Sequence, residues 1–171
     1  MPTVAGSPRI VVGVAGGIAA YKTVSLVREL VRSGADVTVI PTESALKFVG
    51  RPTWEAVSRN DVSEDLFEDV ATVRHVALGQ NADAIVIAPA TAHTLASLAA
   101  GFAGNLLGTT VLASSAPLIV APAMHTEMWN HPSVQANVAT LIARGVTMEG
   151  PESGELTGGD VGAGRMSEPE D

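Results

Sequence analysis

The sequence predicts a single α/β domain built on a mainly parallel sheet, and three observations support that fold class. A run of β-branched residues from Arg9 leads into the pair Gly16 and Gly17 and then into an amphipathic helical pattern. Two later segments, 84–88 and 117–121, are short continuous apolar runs typical of strands buried on both faces. The 171 residues, 46% hydrophobic and 16% charged, suit one compact domain over 1–171.

Composition excludes several classes of function. Ten Lys and Arg residues against 18 Asp and Glu give a net charge of -8, which argues against a nucleic-acid surface. The chain has no cysteine, so a disulfide framework, a thiolate metal site and a catalytic thiol are all excluded. No apolar stretch approaches the roughly 20 residues that span a bilayer, and the N-terminal residues do not resemble a signal peptide. We therefore expect a cytoplasmic protein that binds neither membranes nor nucleic acid.

The first strand and helix contain the clearest candidate for a ligand site. Apolar residues recur at helical spacing between 17 and 33, and Ser33-Gly34 ends the helix. Gly16 and Gly17 lack a Cβ at the start of this helix, so backbone N–H groups can approach a phosphate closely. The alternative is a glycine turn needed for packing alone. The order G-x-x-G-G, and a second strand at 36–40 without a terminal acidic residue, favour a mononucleotide such as FMN over NAD.

Two short helices and a loop or extended stretch are predicted after the second strand. Thr42 and Ser44 follow the second strand, where their hydroxyls can cap a helix at about 45–49 or contact a phosphate. A helical run is expected at 53–58. His75 falls in a segment whose apolar residues alternate weakly, and this indicates a loop or a short extended stretch.

The second half repeats the strand and helix alternation. Strand 84–88 ends in Pro-Ala-Thr-Ala-His-Thr, and strand 117–121 ends in Pro-Ala-Met-His-Thr-Glu-Met-Trp. Ligands bind at such carboxyl ends in open α/β sheets. Helices are expected at 95–100, 105–113 and 132–143, with a last strand at 146–148. The Gly-rich, acidic segment beyond residue 150 predicts a flexible substrate flap at about 152–167.

Five motifs occur in one order along the chain: GGIAAYK from Gly16, His75, PATAHT from Pro89, PAMHTEMW from Pro122, and G-x-x-x-x-G-R-M ending at Met166. Together they resemble the homo-oligomeric flavin-containing cysteine decarboxylases, which act on phosphopantothenoylcysteine or on the C-terminal cysteine of ribosomal peptides. The resemblance implies a Rossmann-like (flavodoxin-like) three-layer sandwich. It also implies FMN as cofactor and a homotrimer that can assemble into a homododecamer.

The resemblance assigns roles residue by residue. His75 matches the family's active-site base, and His125 stands where the family has an asparagine that binds the substrate carboxylate; both are assigned as catalytic. His125, Met128, Trp129 and Arg165 are assigned as substrate-binding. The implied FMN-binding residues are Gly16, Gly17, Ile18, Ala19, Thr42, Ser44, Pro89, Ala90, Thr91, Thr94, Ala123 and Met124. Four histidines without cysteine, and without H-E-x-x-H, give little support to a metal site. Each assignment has a structural alternative: a cap or core histidine at 75, a helix cap at 125, and a solvated charge at 165.

The implied chemistry removes a hydride from the cysteine Cβ to the flavin, giving a thioaldehyde that accepts the electrons when CO₂ leaves. His75, whose unperturbed pKa would be near 6.5, matches the base that relays the thiol proton. Some relatives use a flap cysteine for a later reduction, and this chain has none. That difference favours an enethiol product from a cysteine-ended peptide. Phosphopantothenoylcysteine remains an alternative substrate, and a non-catalytic regulatory subunit of the same fold is a further one.

Overall fold

The computed structural model describes residues 6–62 and 74–171, with the side chains of Arg74 and His75 not described. Strands of the main sheet are β1 (Arg9–Val14), β2 (Asp36–Pro41), β3 (Ala84–Ala90), β4 (Leu118–Pro122) and β5 (Thr147–Met148). Helices are α1 (Ala20–Arg32), α2 (Arg51–Ser58), α3 (Arg74–Asn81), α4 (Ala92–Ala100), α5 (Leu106–Leu112), α6 (Thr126–Trp129) and α7 (Pro132–Ala143), with a 3₁₀ turn at Ala45–Lys47. Strands β6 (Glu152–Glu155) and β7 (Val161–Arg165) form a separate hairpin.

The main sheet is parallel and its strands lie in the order β2-β1-β3-β4-β5. Ile10 of β1 is in register with Val37 of β2 on one side and with Ala84 of β3 on the other. Strand β2 therefore lies on one side of β1, and the later strands β3, β4 and β5 are added on the other side. A crevice forms where the order reverses, outside the carboxyl ends of β1 and β3, and this is the ligand-binding position of flavodoxin-like sheets. The predicted fold class is confirmed.

Two apolar clusters cover the two faces of this sheet. Val12 and Val14 of β1 pack with α1 and α2, and Trp54 is fully buried in the same cluster. Val11, one position away, belongs to the opposite cluster with residues of α4, α5 and α7. This alternation follows from the two-residue period of a strand, which sends successive side chains to opposite faces. The result is a three-layer arrangement with helices on both sides of the sheet.

One sequence expectation needs correction at the segment that includes His75. We expected a loop or short extended stretch there, whereas the chain forms α3 from Arg74. Gly79 lies within this helix and allows it to approach α5 closely, since a Cβ at Gly79 would come within 2.5 Å of the carbonyl oxygen of Thr110. Gly79 is thus part of the contact between α3 and α5 and does not interrupt the helix.

Beyond residue 150 the structure contains the β6–β7 hairpin, which the sequence did not predict. The strands pair antiparallel, with Gly154 opposite Gly162. Small side chains dominate these strands, and that is why no apolar periodicity indicated them. The flexibility expected for 152–167 stays a prediction. Within the described residues, no helix combines the length and the apolar character that crossing a membrane requires.

Candidate active site

The glycine turn after β1 contacts the loops that follow β2 and β3. The N–H of Ala15 donates to the carbonyl oxygen of Pro89 at 3.1 Å, which joins the ends of β1 and β3. A Cβ on Gly16 would overlap the side chain of Ser44, and one on Gly17 would lie 3.7 Å from Cγ2 of Thr91. Gly16 thus permits a close approach of the loops after β1 and β2 that a larger residue would prevent. Packing against Ser44 is therefore one reason for glycine at this turn, and it is compatible with a ligand site at the same place.

Helix α1 begins directly after this turn and presents its N-terminus to the crevice. Its first turn contains no acidic residue, and Ala19 at the cap position provides no side-chain hydrogen bond. The N–H groups of its first three residues donate to the carbonyl oxygens of the preceding turn at 3.0 to 3.4 Å, and they lie at the positive end of the helix dipole. This end of α1 is therefore suited to an anionic group such as a phosphate.

Hydroxyl groups lie at the ends of the neighbouring strands. Thr42 Oγ1 and Ser44 Oγ, after β2, are 3.1 Å apart, and Thr42 Oγ1 also accepts from the N–H of Ala45 at 3.2 Å. Thr91, after β3, caps α4 by accepting from the N–H of Thr94 at 3.2 Å, and its hydroxyl lies 3.1 Å from that of Thr94. These bonds hold each hydroxyl in a fixed position, with a remaining lone pair or proton for a ligand.

The segment after β4 carries His125, Met128 and Trp129 on or beside the short helix α6. His125 occupies the N-cap position, yet its side chain makes no capping hydrogen bond, so the helix-cap alternative does not account for it. The His125 side chain is exposed to the crevice, and Met128 is 46% exposed. Trp129 packs against the apolar core, and its carbonyl oxygen accepts a hydrogen bond from Gln135 Nε2 at 2.6 Å.

The β6–β7 hairpin lies directly against this segment. The N–H of Met124 donates to the carbonyl oxygen of Gly164 at 3.0 Å. A Cβ on Gly164 would overlap the Met124 carbonyl, and one on Gly162 would overlap the Thr126 side chain. At the hairpin tip, a Cβ on Gly158 would lie 3.7 Å from Cε1 of His125. Glycines at these positions let the hairpin backbone approach the end of β4 and α6.

An ion pair holds the two strands of the hairpin together. Arg165 Nη2 lies 2.9 Å from Glu152 Oε2 and 3.8 Å from Glu168 Oε1. The hydrogen bond from Arg165 lowers the pKa of the Glu152 carboxyl, and the same bond raises the pKa of the Arg165 guanidinium. Arg165 is thus paired with Glu152, and a substrate carboxylate would have to compete with Glu152 for it.

Two cavities open on this crevice. The first, of about 1020 Å³, contains the hydroxyls of Thr42, Ser44 and Thr94. The second, of about 660 Å³, lies between the start of α1, the end of β4 and the hairpin. Four residues line both cavities: Gly16, Thr91, Ala92 and Met128. Ligands placed in the two cavities would therefore meet at these four residues.

The structure brings most of the sequence-predicted site residues to these cavities. Gly17, Ile18, Ala19, Ala123, Met124, His125 and Arg165 line the second cavity. Pro89, Ala90 and Trp129 line neither: the first two belong to β3, and Ala90 is fully buried. His75 is the second residue of α3, but its side chain lies outside the described residues, so its role stays a prediction.

Sequence reasoning missed several residues that line the cavities, including Lys22 and Asn105. A usable signal existed for Lys22, which places a charge inside a motif otherwise made of glycine, alanine and apolar residues. Asn105 carried no such signal. Among the described residues, no group of three or more His, Asp or Glu side chains is placed to hold a metal ion.

These features define a flavodoxin-like α/β protein with a ligand crevice at the β1–β3 switch point and a hairpin against it. The sequence profile of the flavoprotein family matches residues 2–171, and the chain belongs to that family. The predicted family is thereby confirmed.

Relatives of known sequence include the coenzyme A biosynthesis bifunctional protein CoaBC. The protein from Mycolicibacterium smegmatis is 56% identical over 163 residues, which cover 95% of this chain and 39% of the relative. The protein from Haemophilus influenzae is 47% identical over 164 residues, covering 95% of this chain and 41% of the relative. The chain thus spans about two-fifths of the length of these relatives.

Solved structures give the same picture. A cysteine-to-serine variant of PPC decarboxylase, complexed with pantothenoylaminoethenethiol, superposes with a TM-score of 0.86 at 33% identity, covering 96% of this chain and 93% of that one. The FMN-dependent cysteine decarboxylase SpaF gives a TM-score of 0.81 at 34% identity, covering 93% and 91% of the two chains. The family and these neighbours bear out the predicted cofactor, FMN, and the predicted class of enzyme, an FMN-dependent cysteine decarboxylase.

Proposed function

We propose that this chain is an FMN-dependent decarboxylase of a cysteinyl substrate and that the substrate is phosphopantothenoylcysteine. The main support for this class of reaction is a pair of adjoining cavities, because one can hold a cofactor in contact with a substrate in the other. The residues that line both are Gly16, Thr91, Ala92 and Met128. The choice of substrate rests on the CoaBC relatives, which at 56% and 47% identity exceed the 34% identity to SpaF.

The residues present fit FMN. The cradle formed by Gly16 against Ser44 has no room for a further side chain, and the adjacent start of α1 carries no acidic group. Gly16, Thr42 and Ser44 would hold the phosphate through backbone N–H groups and hydroxyls. Thr91, with Ala92 beside it, would contact the part of the cofactor nearest the second cavity. When bound, FMN would supply the acceptor for a hydride from the cysteine Cβ.

The protein's own groups would bind the substrate and move its proton. His125 is exposed at the end of β4 and makes no cap bond, so it can donate a hydrogen bond to the substrate carboxylate. His75 would accept the thiol proton, as the family resemblance implies. The hairpin, which contributes Leu156, Thr157 and Gly164 to the second cavity, would exclude water from the reacting carbon.

A peptide with a C-terminal cysteine is the second candidate substrate. Its support is the similarity to SpaF, together with the absence of cysteine from this chain. The PPC decarboxylase neighbour that holds an aminoethenethiol is a variant whose cysteine is replaced by serine. Both observations are compatible with a product that stays unsaturated, whichever substrate is used.

The experiment offers both substrates to the purified protein in separate reactions. Mass spectrometry distinguishes loss of CO₂ alone from loss of CO₂ with two further hydrogens, and absorbance reports bound flavin. We expect phosphopantothenoylcysteine to be decarboxylated with kcat/KM at least about tenfold above that of the peptide. A preference for the peptide would replace the substrate assignment. Bound flavin without decarboxylation of either substrate would instead favour the regulatory-subunit alternative.

A further inference from the structure

We propose that Lys22 is a positioning residue that holds the β6–β7 hairpin over the second cavity, and so sets the affinity for substrate without taking part in cofactor binding or in the reaction step. This inference rests on the proposed function for its kinetic consequence. Its structural part, that Lys22 fastens the hairpin, stands on contacts alone.

Lys22 is a buried charge at an unusual place. It is the third residue of α1 and its side chain is only 10% exposed. A cation this close to a helix N-terminus interacts unfavourably with the helix dipole, and a buried ammonium loses hydration. Both costs must be offset by specific partners.

The partners of Lys22 come from the other end of the chain. Its Nζ donates to the carbonyl oxygen of Met166 at 3.0 Å and to Glu168 Oε1 at 2.7 Å. We call residues 166–168 the strap, because they follow β7 immediately. Met166 and Ser167 are 3% and 4% exposed, although the hairpin that precedes them is largely open to solvent.

The strap is inserted between α1 and the sheet. Met166 packs with Ala88 of β3 and Ala121 of β4, and Ala19 at the start of α1 contacts the same cluster. Gly150 lies just before β6, and a Cβ on it would come within 2.5 Å of Ser167 Oγ. The strap therefore contacts the chain where it enters β6 and where it leaves β7, and Lys22 binds the strap.

A chain of ion pairs links Lys22 to the hairpin. Glu168, bound by Lys22, lies 3.8 Å from Arg165, which in turn binds Glu152 on the opposite strand. Apolar contacts alone would allow the strap to slide along α1, whereas an ammonium with two fixed acceptors defines one position. Because Lys22, Arg165 and Glu168 all line the second cavity, the position of the hairpin determines the shape of that cavity.

The test compares K22M, K22R and E168Q with R32M as a matched control. Arg32 is on the same helix and forms an exposed ion pair with Glu29 at 2.8 Å, far along the chain from the strap. Hydrogen exchange of the peptide 152–165 is measured without substrate, followed by flavin absorbance, kcat and KM with phosphopantothenoylcysteine. The exchange measurement does not depend on decarboxylation, so it decides the structural part even where the proposed function fails.

For K22M we expect exchange in the hairpin to accelerate about tenfold or more, as loss of a hydrogen-bonded charge implies. KM should rise by about tenfold while kcat and flavin content stay within about twofold of the wild type. K22R should restore part of the protection, and R32M should leave all four quantities unchanged. E168Q, at a side chain 45% exposed, should act in the same direction with a smaller effect, and it carries the test where K22M does not fold.

Unchanged hairpin exchange in both K22M and E168Q would overturn the inference. A loosened hairpin with unchanged KM would overturn its kinetic part, because the hairpin position would then not govern substrate binding. A fall in kcat at constant KM would show that Lys22 acts on the reaction itself.

Discussion

Gly158 of the hairpin lies against His125, which lines the second cavity: the position of a Cβ on Gly158 is 3.7 Å from Cε1 of His125 and 3.4 Å from Oδ2 of Asp160. Both distances are ordinary van der Waals contacts, so a small side chain fits there without displacing its neighbours. Gly158 is therefore the hairpin position from which a new side chain would reach the group proposed to bind the substrate carboxylate.

Replacing Gly158 by cysteine should place a thiol beside the bound substrate. We expect G158C to raise the share of saturated thiol among the products, since the added thiol can donate a proton to the enethiolate carbon and give a thioaldehyde, which the hydride held by reduced FMN would then convert to the saturated thiol. Anaerobic single-turnover mixing with mass spectrometry measures that share. G158S is the matched control, because it adds a group of similar size without a thiol. An equal rise in the share of saturated thiol in both variants would mean that packing, and not the thiol, causes the effect. An unchanged share in both would contradict the prediction that Gly158 lies beside the reacting carbon.

Adding a methyl group at Gly16 should weaken FMN binding. The new Cβ overlaps Ser44 and would separate the glycine turn from the hydroxyls proposed to hold the phosphate. We expect the Kd of G16A for FMN to rise at least about tenfold, or about 1.4 kcal/mol of binding free energy. Flavin fluorescence titration measures it. In G50A the nearest atom to the new Cβ is 3.7 Å away, and this control should bind FMN as the wild type does.

Changing His75 to Asn should leave flavin bound while kcat falls by roughly 10²- to 10⁴-fold, the range for loss of a positioned acid or base. Steady-state turnover and flavin absorbance separate the two effects. The matched control is H131N, since His131 caps α7 by accepting from the N–H of Ser133 at 3.2 Å and asparagine can also cap. Turnover of H75N equal to that of H131N would assign His75 a structural role.

Changing His125 to Ala should lower kcat/KM by about tenfold or more without releasing flavin, because a hydrogen bond to a charged carboxylate is lost. H125N keeps a side-chain donor at this position and should retain more of the activity than H125A. Flavin loss in H125A would mean that His125 contacts the cofactor and not the substrate.

The hairpin should loosen in acid. Hydrogen bonding to Arg165 lowers the pKa of Glu152 below its ordinary value of 4.5, so the folded state favours the ionised carboxyl. The stabilisation from this pair is complete above that ordinary value and is lost as the pH falls through the lowered pKa. Hydrogen exchange of the hairpin, corrected for its intrinsic pH dependence, should show the transition, and E152Q should abolish it. A transition that persists in E152Q would belong to another carboxyl, such as Glu168.

The sequence predicted the parts of the fold that depend on periodicity and missed those that depend on close backbone contact. The buried runs that became β3 and β4 carry a strong apolar signal, and the polar motifs at their ends therefore located the crevice correctly. The segment that includes His75 was misleading because its apolar residues alternate weakly, whereas Gly79 allows α3 to pack closely on α5. The hairpin escaped prediction for a related reason: Gly162 and Gly164 are needed because α6 and Met124 occupy the space of a side chain.

Within the site, prediction succeeded for residues on turns and was least informative for side chains with distant partners. Gly16 and His125 follow strands and could be placed from topology. The partner of Lys22 is 146 positions away, at Glu168, and no local pattern connects them. The same holds for Arg165, whose sequence context gave no indication that Glu152 would bind it.

The pairing of β1 with β3 also has a consequence for how this protein folds. Ile10 meets Ala84 only after the long segment between them has closed into a loop, and such distant pairings slow folding. The crevice, which needs the ends of both strands, does not exist in a partly folded chain that lacks this pairing. A ligand held at Gly16 and Thr91 therefore binds the native state alone, and raising its concentration should increase the apparent melting temperature by mass action.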